Sequence, residues 1–313
     1  MSPFIKSKLA QLVHLFLLRQ NRIVTINDER IGKMGLDYGK YEVNQGIDTK
    51  SVSIVIQGPI FTQADFTLQC CKFYRTCYPE LEIILSTWRT YSNTLLDNFR
   101  ALGVKVILSD DPDMPGIYNV NRQIVSTNAG ISAVSDSQFV LKTRTDILFN
   151  SSTFLETLIN NYLAAEKKGY DNRIWITSFN TYLKRPFSFN DQVQFGRIKD
   201  LENFWNCSRD PKSSREVDLN KNRNPEEWSL LEIAEVYLVR NYLNNINVNL
   251  PLTVEGSLVA LRDYFVVFDE AMLGMYWLKT RMRSLQTISR IFEQTAGPCV
   301  KQYDWLILQI EKS

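Results

Sequence analysis

IYNVNRQIVSTNAG (117–130) and, after a short polar link, FVLKTRTDILF (139–149) decide how this chain is read. The first block is helix-like with polar residues on most sides. The second is strand-like, yet it carries Lys142, Arg144 and Asp146 where a buried strand should be apolar. Strand side chains alternate, so Val140, Lys142, Arg144 and Asp146 are expected on one face. At about 3.3 Å per residue, Arg144 and Asp146 then stand roughly 7 Å apart along it. Both are expected at the strand's C-terminal end, where open α/β sheets bind ligands. Lys142, roughly 13 Å from Asp146, is expected deeper, supporting the site electrostatically. The competing reading is a structural ion pair between Arg144 and Asp146, since buried charges need partners.

Outward from this stretch the chain alternates regularly. Val52–Ile56 is a short β-branched run that stops at Gln57-Gly58-Pro59. A helix is expected over 63–77, then a strand over Leu81–Leu85 ending in Ser86-Thr87-Trp88. A helix over 92–102 ends at Gly103, and a strand over Val104–Leu108 runs into Ser109-Asp110-Asp111-Pro112. The helix of the first block spans Ile117 to Val134, and the charged strand Phe139 to Thr145. Thr153-x-x-Glu156 has capping-box spacing and opens a helix that stops near Gly169. Four strands separated by helices argue for an α/β fold, a mostly parallel central sheet with helices on both faces. Strand exits and the first turns of the following helices then share one rim. That rim gathers Gln57, Gly58, Ser86, Thr87, Asp110, Asp111, Asn119, Asn121, Arg122 and Asp146 as candidate binding residues. Each also has a plainer reading, as a polar turn or a helix-start cap.

The second half is less regular. A strand is expected over Ile174–Ser178, a helix over 228–243 and a late strand over Phe265–Phe268. The polar stretch 205–227 reads as a lid, a binding loop or disorder. Three segments are expected: an N-terminal helix and polar lead-in (1–49), a catalytic domain (50–272) and a basic amphipathic helical segment (273–313). In the last, Trp277, Leu278, Met282, Leu285, Ile288 and Phe292 fall near helical spacing among Lys279, Arg281, Arg283 and Arg290. Such a helix either rests on an anionic membrane or packs on its own domain. Leu9–Leu18 is too short to span a bilayer, and no cleavage site for a signal peptide follows it.

Composition removes several functions. The 313 residues carry 36 basic and 34 acidic side chains, and no basic stripe alternates with aromatics, so no nucleic-acid partner is expected. His14 is the only histidine, which sets aside Ser-His-Asp and Cys-His chemistry and leaves Asp or Glu as the general base. Five cysteines without zinc spacing read as reduced cytoplasmic thiols. GxGxxG and GxxxxGK[ST] are both absent, so any nucleotide phosphates need another cradle, such as a carboxylate-held cation with Arg or Lys support. Asp146 fits the carboxylate, and Arg122, Lys142 and Arg144 the positive charge.

SIVIQGPI (53–60), EIILSTW (82–88), LSDDP (108–112), NVNRQIVST (119–127) and LKTRTDIL (141–148) together resemble the WavE family of lipopolysaccharide-synthesis proteins. NDQVQFGRIKDLENFW (190–205) and AEVYL (234–238) are similar to later segments of that family. The resemblance implies a GT-A-like glycosyltransferase acting on bacterial surface polysaccharide, with a nucleotide-sugar donor and a divalent cation, Mn²⁺ or Mg²⁺. It implies Asp146 as metal ligand, although the GT-A Asp-x-Asp motif is here Arg144-Thr145-Asp146. Gln57, Asp110 and Asp111 would contact base or ribose, and Arg122 or Arg144 the departing diphosphate. Asp191 and Glu235 are the candidate bases. The acceptor would be a lipid-linked or lipopolysaccharide-type glycan, with the enzyme cytoplasmic or peripheral at the inner face of the membrane. Two alternatives stand beside this: a sugar-phosphate nucleotidyltransferase, and a non-catalytic polysaccharide-assembly subunit.

Overall fold

A computed structural model describes residues 48, 51–170, 172–212, 223–278 and 298–310. β1 (Val52–Gln57) leads through a 3-10 turn (Gln63–Asp65) to α1 (Phe66–Cys77), β2 (Glu82–Trp88), α2 (Asn93–Arg100) and β3 (Lys105–Ser109). A second 3-10 turn (Ile117–Asn119) opens α3 (Val120–Ile131), followed by β4 (Phe139–Arg144), β5 (Ile147–Phe149) and α4 (Phe154–Glu166). Then come β6 (Ile174–Thr177), β7 (Gln194–Arg197), α5 (Ile198–Trp205), α6 (Pro225–Leu230), α7 (Ala234–Asn245), α8 (Val254–Tyr264), β8 (Phe265–Phe268), β9 (Met275–Trp277) and α9 (Gln302–Ile310).

Seven strands form one sheet in the order β3-β2-β1-β4-β7-β6-β8. Only β7 runs antiparallel to its neighbours, so the sheet is mostly parallel, as expected. The chain steps from β1 to β2 to β3, then crosses back over both to reach β4. With right-handed crossovers, α1 and α2 cover one face and α3 the other. Strands covered on both faces need no polar alternation, and every residue of β1 (VSIVIQ) is buried. α3 lies close on the sheet because Gly130 permits it: a Cβ there would stand 2.5 Å from Val55 Cγ1. Progress along the sheet reverses between β1 and β4, where Gln57 and Arg144 are register partners.

Several expectations give way. β4 stops at Arg144, and β5 leaves the main sheet to pair with β9, so Arg144 and Asp146 do not project side by side from one strand. The polar residues of α3 are largely inside: Asn121, Gln123, Ser126 and Thr127 are buried. The Thr153–Glu156 capping box does not form; Glu156 instead accepts a hydrogen bond from the Tyr78 hydroxyl. The single helix expected over 228–243 is two, broken where Glu232 adopts φ 50°. Trp277 ends a strand rather than starting a helix, and residues 279–297 lie outside the described residues, as do 1–47. The far C-terminal part joins the main body: Trp305 of α9 donates its indole N–H to the Phe265 carbonyl at 2.9 Å. The five cysteines are free thiols. Among the described residues no helix is long and apolar enough to cross a membrane.

Candidate active site

A cavity of about 860 Å³ opens at the C-terminal ends of β1, β2 and β4, bounded by the first turns of α3 and α7. Its position is the sheet's reversal point, and its volume suits a small-molecule site. The reversal brings Gln57 and Gly58 from one strand beside Arg144 from the next. Gln57 Oε1 accepts from the Ser126 hydroxyl at 2.9 Å, which fixes the amide against α3. Gly58 has φ +121°, a conformation suited to glycine, and a Cβ there would stand 3.1 Å from Thr145 Oγ1. The Thr87 hydroxyl donates to its carbonyl at 2.8 Å. β1 therefore exits through a tight turn against β4.

Asp111, Asn119 and Arg122 line the same cavity. Arg122 holds Asp111 through two bonds of 2.7 Å and donates to Asn119 Oδ1 at 2.9 Å. The three make one rigid group at the edge of the β3 exit. Asp110 points elsewhere, exposed and paired with Arg89 at 2.9 Å. Asn121 is structural: it donates to the Asp210 carbonyl and accepts from the Asp210 N–H, pinning the 206–212 segment to α3.

Asp146 is fully buried and does not line the cavity. Arg144 Nε and Nη2 donate to its two oxygens at 2.8 and 2.9 Å, and Trp277 Nε1 donates to Oδ2 at 2.9 Å. The structural ion pair is thus what forms, and Arg144 alone reaches the cavity wall. This donor set does not fit a divalent cation, because both Asp146 oxygens are committed to N–H donors. Among the described residues, no group of three His, Cys, Asp or Glu could hold one.

Two carboxylates close the opposite side. Asp191 is buried in the loop before β7, and Glu235 sits in the first turn of α7. Glu235 Oε2 is buried without a hydrogen-bond partner. Burial, reinforced by the nearby Asp191 charge, pushes the Glu235 carboxyl up to about 7. Beneath Asp191, Lys142 is wholly buried, as expected for its depth. Its ammonium donates to the Asp191 backbone carbonyl and lies 4.6 Å from the Trp205 ring centroid. Burial pushes it down to about 7, against the attraction of Asp191.

The sequence reading missed Tyr118, Arg185, Arg223 and Trp228, which form the remaining wall. Arg185 lies 5.1 Å from the Tyr182 ring and 5.8 Å from the Trp228 ring, and Arg223 lies 5.2 Å from the Trp228 ring. Arg185, Arg223 and Trp228 sit in the half without periodic pattern, where only their chemical type could have marked them, whereas Tyr118 lies inside the first block, in the turn before α3.

The structure is similar to that of a 4-diphosphocytidyl-2C-methyl-D-erythritol synthase from Anaerococcus prevotii, at 14% identity and a TM-score of 0.40, covering 79% of this chain and 100% of that one. It is similar to a cytidylyltransferase from Leptospira borgpetersenii, at 11% identity and a TM-score of 0.37, covering 84% and 94%. It is also similar to S. aureus TarS, at 11% identity and a TM-score of 0.39, covering 83% of this chain and 42% of TarS. No curated protein matches the sequence. The family model for WavE lipopolysaccharide synthesis matches residues 52–256, from β1 into α8, and the chain belongs to that family.

Proposed function

We propose that the chain is a glycosyltransferase that moves a sugar from a nucleotide-sugar donor to a bacterial surface glycan: lipopolysaccharide, O-antigen or capsule. The observation that carries this reading is the cavity at the β1–β4 reversal, which combines guanidinium groups with two carboxylates. Glycosyl transfer needs both. A departing nucleotide diphosphate must be met by positive charge, and the acceptor hydroxyl must lose a proton. Glu235, pushed up to about 7, is suited to take a proton near neutral pH and release it again. Asp191 is the alternative base. Gln57, Gly58, Asp111 and Asn119 form the nucleoside end, at the exits of β1 and β3. No step is assigned to a divalent cation, since the Arg144–Asp146 pair does not fit one. A lipid-linked acceptor and contact with the inner face of the cytoplasmic membrane complete the proposal.

The test is a thermal-shift screen of UDP-, GDP-, CMP- and TDP-sugars with and without Mn²⁺, followed by a transfer assay with the responding donor. A donor at 100 times its dissociation constant stabilises by about 2.7 kcal/mol, well within such a screen. One donor class is expected to respond and to lose its sugar to a glycan acceptor. Pyrophosphate release from a nucleoside triphosphate and a sugar phosphate would refute the proposal in favour of a nucleotidyltransferase. Silence towards every donor would refute it in favour of an assembly subunit.

A further inference from the structure

The arginines of the cavity are not equivalent. Arg122 is held by Asp111 and Arg144 by Asp146, each through two hydrogen bonds. Arg185 has no such partner. It is 8% exposed and lines the cavity, and its Nε is buried without a hydrogen-bond partner. Among the described residues no carboxylate forms an ion pair with it. Its guanidinium is instead held by the Tyr182 and Trp228 rings, which fix its direction, while Glu235 is near enough to feel its charge without forming an ion pair with it. A guanidinium on a cavity wall with an unsatisfied buried N–H and no carboxylate in contact is suited to take an anion from outside the chain.

A second feature converges on the same wall. α7, twelve residues long, begins there, with Ile233 and Ala234 on the cavity and no side-chain cap on its first turn. A helix start offers unsatisfied N–H groups and a partial positive charge, which suit phosphate oxygens.

We infer that Arg185 is the phosphate anchor of this cavity, binding the diphosphate of the nucleotide-sugar donor where a divalent cation would otherwise stand. This rests on the glycosyltransferase reading. The forked guanidinium can meet two oxygens of a diphosphate at once, a geometry that a lysine ammonium cannot reproduce.

The experiment is calorimetric titration of wild type, Arg185→Met and Arg185→Lys with the nucleoside, monophosphate and diphosphate of the responding base. It is run in EDTA and repeated with Mn²⁺. Wild type is expected to bind the diphosphate at least tenfold more tightly than the nucleoside, with EDTA and Mn²⁺ agreeing within about twofold. Arg185→Met should lose about tenfold or more in diphosphate affinity and little in nucleoside affinity, with Arg185→Lys between the two. If Arg185→Met does not fold, the lysine variant carries the test through the same nucleoside-to-diphosphate comparison. Undiminished diphosphate affinity in the variants overturns the inference and leaves the glycosyltransferase reading standing. So does a loss confined to a phosphorylated sugar acceptor, or a diphosphate affinity that depends tenfold on Mn²⁺. A wild type that binds no nucleotide of any base overturns both.

Discussion

Replacing Glu235 with glutamine should separate the stability of this cavity from its chemistry. The folded-state carboxyl titrates at about 7, chiefly because it is buried and secondarily because Asp191 is close, against an ordinary value of 4.5. A raised carboxyl value means that the fold favours the protonated form. Below about pH 4.5 both folded and unfolded states hold the proton, and there is no penalty. As pH rises from 4.5 to 7 only the unfolded state ionises, so stability falls; above about 7 the loss is complete. At about 1.36 kcal/mol per pH unit, the gap amounts to about 3 kcal/mol. Glutamine cannot ionise and avoids this loss, while its buried amide forfeits about 1 kcal/mol for want of a partner. Urea unfolding at pH 5, 6, 7 and 8 checks this. Wild type should weaken across the series relative to Glu235→Gln, and the variant should lead by about 2 kcal/mol at pH 8 while losing transfer activity. Lys142 also titrates near 7 but does so in both proteins, so the difference isolates Glu235. Removing the neighbouring charge with Asp191→Asn should move the wild-type transition to lower pH. Parallel stability curves for wild type and Glu235→Gln from pH 5 to 8 would refute the reasoning.

Other perturbations follow from the same geometry. Asp111→Asn should weaken nucleotide binding about tenfold by releasing Arg122, whereas Asp110→Asn, on the exposed side of the same turn, should leave it unchanged; titration calorimetry distinguishes them. Arg144→Met strands the buried Asp146 carboxylate and should cost about 3–5 kcal/mol in urea unfolding, most of which Arg144→Met with Asp146→Leu should recover. Gly130→Ala should cost about 1–3 kcal/mol, because its Cβ meets Val55 at 2.5 Å and α3 must lift from the sheet. Its thermal midpoint should fall accordingly.

Local signals made the first half legible. Short β-branched runs that lead into Gly58-Pro59 or Asp110-Asp111-Pro112 mark strand exits because proline has no N–H to give a ladder. Once the exits are known, right-handed crossovers place them on one rim. The errors arose where distant contacts decide. Asp146 shares a strand face with Arg144 only if β4 continues, yet the Thr145 N–H closes onto the Gln57 carbonyl at 3.1 Å and the chain then turns away. Asn121 has the look of a rim residue, but its amide is satisfied by the backbone of Asp210, 89 positions away. No periodicity flags Arg185 or Trp228, since an aromatic clamp around a guanidinium is assembled from segments with no common pattern.

The Arg144-Thr145-Asp146 sequence carries a larger consequence than the loss of one carboxylate. Two aspartates would present a net negative charge that a cation must balance before an anionic diphosphate could approach. With arginine in the first place the motif balances itself: Nε and Nη2 are spent on Asp146, and the pair is neutral. Such a pair can orient a substrate through its remaining Nη1, but it adds no uncompensated charge to the cavity. Arg122 is neutralised in the same way by Asp111. The arginine on the far wall that no carboxylate contacts therefore matters more here than it would beside a bound cation. Arg185, buried and with no carboxylate in contact among the described residues, faces the cavity close to the start of α7. Glu235 feels that guanidinium, so protonating the carboxyl near pH 7 both removes a proton acceptor and takes away a negative charge that would repel an incoming anion.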